Sequence, residues 1–168
     1  SIPMSNLRHL TLLYVNAEGE TCRGEMIVNK AIAKDVLEIF AELYRMKFPI
    51  QRMRLIDHYD ADDEKSMADN NTSAFCYRAV NSSKRLSKHS LGMSIDINPL
   101  YNPCFHIAPP PEKYRRGTLQ PANAVPYTDR TKKYPYTITP QVVSLFKKHG
   151  FRWGGDWKRK KDYQHFEK

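Results

Sequence analysis

The amino-acid sequence predicts an α+β fold, a small antiparallel sheet packed with helices, and three observations support it. Strand-like segments occur at His9–Val15 and Gly92–Ile97, where apolar and β-branched residues cluster or alternate. Residues Asn29–Met46 place apolar side chains at helical spacing. Strands and helices follow one another without strict β-α-β alternation, which argues against a parallel sheet. The length of 168 residues suits a single domain over residues 1–168.

The first predicted helix begins after Asn29, a residue type favoured at the N-cap, and ends before Pro49. Its apolar stripe consists of Ile32, Val36, Ile39, Phe40 and Leu43. Residues Gln51–Tyr59 alternate polar and apolar side chains and predict a half-buried strand. The polar, acidic stretch Asp60–Thr72 predicts a surface loop, and Ser73–Arg78 predicts a short strand.

Two loops are predicted on either side of the strand at 92–97. Asn81–Lys88 is polar and basic. Asn98–Thr139 contains eight of the eleven prolines and few periodic apolar residues. Long irregular stretches inside compact domains are often functional. We therefore predict that the proline-rich segment, about 98–139, is an insertion that borders the active site.

The C-terminal part predicts a second helix followed by two short strands. Thr139 and Pro140 are typical of an N-cap and a first helical position, and Gly150 is typical of a helix end. Phe151–Trp153 and Tyr163–Glu167 have the apolar and aromatic content of short closing strands.

The composition limits the partners without selecting one. Lys and Arg number 27 against 18 Asp and Glu, a net charge of +9, which favours anionic partners such as nucleic acid, an acidic membrane surface or an anionic cell-wall polymer. No nucleic-acid-binding motif occurs, and no apolar run is long enough to span a bilayer. We therefore predict no nucleic-acid partner and no transmembrane segment, and we expect a monomer.

Three cysteines, Cys22, Cys76 and Cys104, form no CxxC pair and exclude a zinc site built from four cysteines. One disulfide stays open as an alternative, but free and mostly buried thiols are the preferred interpretation. The chain begins with Ser1 rather than Met, which leaves both a removed leader and a trimmed chain open.

Two short motifs carry candidate chemistry. Asp96 lies between Ile95 and Ile97 in a predicted strand, and a buried carboxylate needs a partner or a metal. His89 lies in a predicted loop that enters this strand, and a second histidine, His165, lies near the C-terminus. Two histidines and a carboxylate make a common catalytic zinc set with a fourth position for water. Asp162, three positions before His165, is the candidate for the base that such water chemistry needs.

Other candidates are interpreted as structural. His58 is expected to face away from Asp57 in the predicted strand at 51–59. His149 lacks neighbours of ligand type and lies at a predicted helix end, where a cation is favoured. The alternative for Asp162 is an ordinary surface acid beside the basic run 158–161. That run is itself interpreted as a solvated turn, with attraction of an acidic substrate as its alternative role.

The motifs together resemble a known family of zinc peptidases. They are Asn70-Asn-Thr-Ser-Ala-Phe75 with Arg78, Ser87-x-His89-x-x-Gly92-x-x-x-Asp96, Asp96-Ile-Asn98-Pro99 with Asn102-Pro103, Gly154-Gly-Asp-Trp157, and Asp162-x-x-His165. In this order, from about Arg54 to the C-terminus, they resemble the D-alanyl-D-alanine carboxypeptidase and dipeptidase family. That family includes phage endolysins that cut L-alanyl-D-glutamate bonds in peptidoglycan.

The resemblance implies a hedgehog/D-Ala-D-Ala-peptidase-like fold and a role for each matching residue. The implied Zn²⁺ ligands are His89, Asp96 and His165, and the implied general base is Asp162. Arg78 would stabilise the oxyanion or hold a substrate carbonyl or carboxylate, with a structural ion pair as the alternative. Ser87 would orient the site or the substrate. One position departs from the family pattern: Cys76 stands where Asn is expected. Some family members use Glu where this chain has Asp162.

These implications predict a zinc-dependent peptidase that hydrolyses amide bonds in peptidoglycan stem peptides, of the D-Ala-D-Ala carboxypeptidase or L-Ala-D-Glu endopeptidase type. Its expected location is the cell envelope or periplasm, or outside the cell, and a cytoplasmic location stays open. The alternatives are a non-catalytic zinc-containing module that binds the cell wall, and a basic nucleic-acid-binding protein.

Overall fold

A computed structural model describes residues 2–75 and 88–168. Strands β1 (Leu7–Val15) and β2 (Thr21–Asn29) form an antiparallel hairpin, and helix α1 (Lys30–Arg45) follows directly. The predictions of the first strand and first helix are confirmed, whereas β2 was not predicted. The α+β class is confirmed by these elements together with the small antiparallel sheets described below.

Helix α1 packs its apolar stripe into the main core. The Asn29 side chain caps the helix by accepting a hydrogen bond of 2.9 Å from the backbone N–H of Ala31. The predicted apolar residues are all almost fully buried: Ile32, Val36, Ile39, Phe40 and Leu43. They share one core with the inner face of the hairpin and with the C-terminal elements.

The predicted strand at Gln51–Tyr59 is wrong. The segment is extended at first, where Arg52 makes one isolated bridge with Asn71, and it ends in a 3₁₀ helix at Ile56–Tyr59. The Asn71 side chain accepts from the Arg54 N–H at 2.8 Å and donates to the Arg54 carbonyl at 2.9 Å. A buried amide thus satisfies backbone groups that a neighbouring strand would otherwise pair.

The predicted surface loop at Asp60–Thr72 is also wrong. Helix α2 (Asp63–Ala68) lies inside it, capped by Asp62, whose side chain accepts from the Lys65 N–H at 3.1 Å. Residues 70–72 are fully buried despite their polarity. They are buried because their side chains bond the backbone of neighbouring segments, a role that polarity alone does not reveal.

The segment at 98–139 is mostly irregular, as predicted, but it contains strand β4 (Cys104–His106) and a 3₁₀ helix at Ala122–Tyr127. Two fully buried asparagines tie it to the rest of the fold. Asn98 donates to the Pro49 carbonyl at 2.9 Å, and Asn102 accepts from the Ile138 N–H at 2.9 Å. These bonds replace the periodic apolar contacts that the segment lacks.

The remaining elements are β3 (Ser94–Asp96), α3 (Pro140–Lys148), β5 (Arg152–Trp153), β6 (Lys160–Asp162) and β7 (His165–Glu167). Strand β7 lies between β3 and β5, and β4 pairs with β6, all antiparallel. The predicted second helix and closing strands are confirmed, whereas β6 was not predicted. Within the described ranges, no helix has the length and apolar character that crossing a membrane requires.

Ion pairs connect two residues of the C-terminal part, His149 and Lys168, to helix α1. Asp35 receives hydrogen bonds of 2.9 Å from His149 Nδ1 and from Lys168 Nζ. Glu38 Oε2 lies 3.7 Å from the same His149 nitrogen. The expectation that His149 lacks neighbours of ligand type is therefore wrong, because its acidic partners lie more than a hundred positions earlier in the chain.

Replacing Asp35 with Asn should lower the free energy of unfolding by about 1 kcal/mol at neutral pH. Hydrogen bonds from His149 and Lys168 hold the pKa of Asp35 below its ordinary value of 3.8. A lowered folded-state pKa gives stability that is present above the unfolded value and is lost as pH falls through the folded value. Denaturant titrations should therefore show the difference at pH 7 and its disappearance in strong acid. Asp156→Asn, which breaks a more exposed pair with Lys147, should cost less.

Candidate metal centre

Three predicted ligand residues come together although they lie on three separate elements. Asp96 on β3 is the register partner of His165 on β7, so strand pairing sets these two side by side. His89 begins a 3₁₀ turn at His89–Leu91. Asn29 anchors this turn, because it donates from its backbone N–H to the Gly92 carbonyl at 2.9 Å and from its side chain to the Leu91 carbonyl at 3.1 Å.

Gly92 is required at this anchoring point. Its φ of +67° is unfavourable for other residues, and a Cβ atom there would lie 2.7 Å from the Asn29 backbone nitrogen. The N-cap of α1 and the His89 turn are therefore in direct contact. This contact positions His89 over the β3–β7 pair.

The three side chains face one another at nearly equal distances. His89 Nε2 lies 3.2 Å from Asp96 Oδ2, and His165 Nδ1 lies 3.2 Å from Asp96 Oδ1. The two facing ring nitrogens are also 3.2 Å apart. Ligands about 2.0–2.1 Å from a tetrahedral zinc ion lie about 3.3 Å from each other. The distance between the two ring nitrogens, and the distance from each of them to the carboxylate oxygen that faces it, are compatible with such an ion.

The other ring nitrogens are committed to acceptors outside the cluster. His89 Nδ1 lies 2.7 Å from the carbonyl oxygen of Ala74, and His165 Nε2 lies 3.0 Å from Glu167 Oε1. Since both partners are acceptors, each of these nitrogens carries a hydrogen. When the imidazoles are neutral, the lone pairs of His89 Nε2 and His165 Nδ1 point at each other and at Asp96, which is the arrangement found where histidines bind metals.

Charge in this cluster is strongly coupled. Burial opposes ionisation of Asp96, but the adjacent histidines outweigh burial and hold its pKa well below the usual range. Burial likewise disfavours a charged His165, yet bonds to Asp96 and Glu167 raise its pKa to about 10. His89 is also buried, and Asp96 raises its pKa. The cluster thus attracts positive charge, which protons or a metal cation can supply.

Asp162 lies on β6 in the same cleft, opposite Cys104. Its Oδ1 atom is buried and has no hydrogen-bond partner within the described residues. Burial, and next the negative charge of Asp96, raise the pKa of Asp162 to about 6. Gly154 packs against it so closely that a Cβ atom would lie 2.8 Å from the Asp162 Cβ. The carboxylate is therefore fixed in place and available to a proton.

The cleft has a volume of about 270 Å³ and contains all four of these side chains. Met67 from α2 and Trp157 also line it, and the Trp157 ring centroid lies 5.4 Å from that of His165. Cys104 and Gln120, from the proline-rich segment, line another part. The proline-rich segment thus contributes two residues to the cleft, and its place beside an active site stays a prediction.

A model of the D-alanyl-D-alanine carboxypeptidase family matches residues 81–168, just over half of the chain. The chain belongs to this family. The curated peptidoglycan L-alanyl-D-glutamate endopeptidase CwlK of Bacillus subtilis (strain 168) is 63% identical over 27 residues, which are 16% of this chain and 16% of that protein. The matched region thus spans a small part of CwlK. No solved structure matches the chain.

Some of the residues predicted to matter in this member of the carboxypeptidase family lie outside the described part of the chain. Arg78, Ser87 and Cys76 lie outside the described residues. Cys22 and Cys104 are free thiols in the structure. Burial, followed by the charge of Asp162, raises the pKa of Cys104, so its thiol stays protonated beside the cleft.

Two supporting residues were missed. Glu167 orients His165, and strand alternation places both on the same face of β7. That alternation was visible in the sequence and could have identified Glu167. The Ala74 carbonyl, which orients His89, left no signal, because any residue type offers a backbone oxygen.

Proposed function

We propose that this chain is a zinc-dependent peptidase that hydrolyses amide bonds in peptidoglycan stem peptides. The observation that carries the proposal is the convergence of two ring nitrogens, 3.2 Å apart, on the Asp96 carboxylate, which places one oxygen 3.2 Å from each of them. The other nitrogen of each ring is bound outside the cluster. Family membership supports peptide hydrolysis, and the CwlK match supports a peptidoglycan substrate.

In this proposal His89, Asp96 and His165 hold the zinc ion. When bound, the ion lowers the pKa of water to about 7 and polarises a carbonyl group. Ala74 and Glu167 keep each imidazole in the tautomer that directs a lone pair into the site. The buried position of Asp96 limits its rotation, so the donor atoms are arranged in advance.

Asp162 acts as the general base and then as the general acid. It accepts a proton from the attacking water and donates it to the departing amine nitrogen. Its raised pKa suits both steps. A carboxylate whose pKa is about 6 is a stronger base than an ordinary aspartate and, once protonated, can still release the proton near neutral pH. Its missing hydrogen-bond partner leaves Oδ1 open for this exchange.

The finer assignments rest on the family resemblance. We propose the hedgehog/D-Ala-D-Ala-peptidase-like fold, the oxyanion or substrate role of Arg78 and the orienting role of Ser87 on that ground. A location in the cell envelope, periplasm or extracellular space is proposed for the same reason, with the cytoplasm as the alternative, and the monomer stays a prediction. The whole-protein activity of CwlK is not transferred, since only 27 residues match.

Product analysis on defined stem peptides tests the function directly. A D-Ala-D-Ala-terminated pentapeptide and a peptide with an internal L-Ala-D-Glu bond should be incubated with the chain, with and without a chelator, and analysed by mass spectrometry. Chelator-sensitive cleavage of one peptide is expected, and the released fragment identifies the bond. Binding to peptidoglycan without any cleavage would instead support the non-catalytic module.

Lys160 supplies positive charge to the cleft. It precedes Asp162 by two positions on β6, so both side chains lie on the same face, and both line the cleft. Among the described residues Lys160 makes no ion pair, so its charge is available to an acidic substrate.

Replacing Lys160 with Gln should raise KM for a stem peptide with free carboxylates by about threefold to tenfold at low ionic strength. KM for the same peptide with its carboxylates converted to amides should change less. Lys158→Gln is the matched control, because Lys158 is exposed and does not line the cleft. If Lys160→Gln and Lys158→Gln change KM equally for both peptides, Lys160 does not select substrates by their charge. Steady-state kinetics at two salt concentrations supply the measurement.

A further inference from the structure

A second cavity of about 350 Å³ lies beside the segment that carries Asp162. Tyr163 lines this cavity, whereas its chain neighbours Asp162 and Gln164 line the metal cleft. The two cavities have no lining residue in common. The apolar part of the second cavity consists of Ile138, Pro140, Val143, Trp153 and Tyr163. This volume is in the range of small-molecule sites.

Arg130 borders the cavity and has uncharged partners. It donates to the Tyr101 carbonyl at 2.6 Å and to Asn102 Oδ1 at 2.8 Å. Its guanidinium carbon lies 4.5 Å from the centre of the Tyr163 ring. Within the described part of the chain, no carboxylate forms an ion pair with Arg130. A half-buried guanidinium held by neutral groups retains its charge for another anion.

Two lysines lie at the same cavity and differ in their partners. Lys147 is neutralised by Asp156 at 2.8 Å. Lys133 makes no ion pair within the described residues, so its charge adds to that of Arg130. The cavity therefore combines two uncompensated positive charges with an apolar and aromatic lining. Neither water nor a purely apolar molecule complements both features.

We propose that this cavity binds a small organic oxyanion, a phosphate ester or a carboxylate, with its charge at Arg130 and Lys133 and its apolar part against Trp153 and Tyr163. Guanidinium groups bind such anions through paired hydrogen bonds. Aromatic and aliphatic side chains bury the attached ring or chain. The oxyanion comes either from a free metabolite or from a unit of an anionic polymer, since both present the same chemistry.

Binding at this site does not depend on the proposed peptidase activity, because no metal-cluster residue lines the cavity. The proposal can therefore fail while zinc-dependent hydrolysis stands, and the reverse also holds. This independence determines the choice of readout. Ligand binding is measured directly, by calorimetry, rather than through turnover.

The first experiment separates charge from apolar surface. The full chain is titrated with phenyl phosphate, benzoate, inorganic phosphate and phenol. Parallel titrations with glycerol phosphate and with a short poly(glycerol phosphate) distinguish a free metabolite from a unit of an anionic polymer. We expect saturable binding of phenyl phosphate or benzoate at one site, weaker binding of inorganic phosphate and the weakest binding of phenol. Phenol that binds as well as phenyl phosphate would overturn the proposal, as would absence of saturation by either aryl anion.

The second experiment locates the bound anion. Arg130→Lys keeps the charge but removes the planar fork, and it should weaken phenyl phosphate binding about tenfold. Lys133→Gln leaves the hydrogen bonds of Arg130 intact and should weaken binding about threefold. The matched control is Lys132→Gln, because Lys132 does not line the cavity. Affinity unchanged in both cavity variants would place the anion elsewhere, such as the metal cleft. An equal loss in Lys132→Gln would indicate general charge attraction, and either result overturns the proposal.

Discussion

Replacing Asp162 with Asn should lower kcat/KM for the cleaved stem peptide by about 10²–10⁴-fold, the range typical of a lost general acid–base group. Zinc content should remain at the wild-type level. The amide has nearly the shape of the carboxylate, so packing against Gly154 is retained while the proton acceptor is lost. Asp162→Ala should show the same loss of activity.

The selective loss is expected because Asp162 stands apart from the three donor atoms. It is not among the residues whose ligand atoms lie within 4.8 Å of one another. Its influence on the cluster is electrostatic, through Asp96 and His165. Removing its charge therefore changes proton transfer far more than it changes metal binding.

Asp156→Asn is the matched control, since it removes an exposed acid from the same C-terminal region outside the cleft. It should retain near wild-type activity. Wild-type turnover in Asp162→Asn would exclude the general-base role. Loss of zinc in Asp162→Asn would instead make this residue part of the metal site. Metal analysis and single-substrate kinetics on the same preparations distinguish these outcomes.

The pH dependence of kcat/KM should report the same group. A general base works only when deprotonated, so activity should fall as pH falls through the pKa of Asp162. Burial and the Asp96 charge raise that pKa to about 6, and a bound divalent cation acts in the opposite direction. The acidic limb should therefore lie at or below about pH 6. A limb well above pH 7 would assign the titration to another group.

Elements with a local signal were predictable from the sequence. Helix α1 shows an apolar stripe and an asparagine cap, and α3 shows a threonine cap followed by proline. The clustering of His89, Asp96, Asp162 and His165 followed from motif resemblance, because spacing in the chain does not show that β3 pairs with β7. Each of these features lies within a few residues or within a recognisable motif.

Elements whose cause lies far away in the chain were not predictable. The polar residues Asn71 and Asn98 read as loop residues, yet each is buried because it bonds distant backbone. Strand β6 is rich in lysine and forms only because β4, itself in the proline-rich segment, pairs with it. The pairing of His149 with Asp35 likewise depends on the packing of α3 near α1. Tertiary contacts, rather than local propensity, determine these features.

Replacing Asp96 with Ala should remove zinc from the protein and abolish hydrolysis. The carboxylate faces both histidines, one oxygen to each, so its loss deletes one proposed ligand and the negative charge that favours a cation. Loss of a residue that merely orients a ligand costs about 10–100-fold in metal affinity, so loss of a ligand should cost more than about 100-fold. Zinc per chain, measured after dialysis against a metal buffer, is the primary readout.

Thermal unfolding with and without a chelator gives an independent readout of the same prediction. A metal that binds only the native state raises its stability in proportion to the logarithm of metal concentration over Kd. The chelator should therefore lower Tm of the wild-type chain and leave Tm of Asp96→Ala unchanged. His106→Ala removes an exposed histidine at the end of β4, a residue that does not line the cleft, and should keep the wild-type response. A full complement of zinc in Asp96→Ala, with a chelator-sensitive Tm, would show that the ion binds elsewhere. The two histidines that remain would hold it less tightly than the set of three ligands.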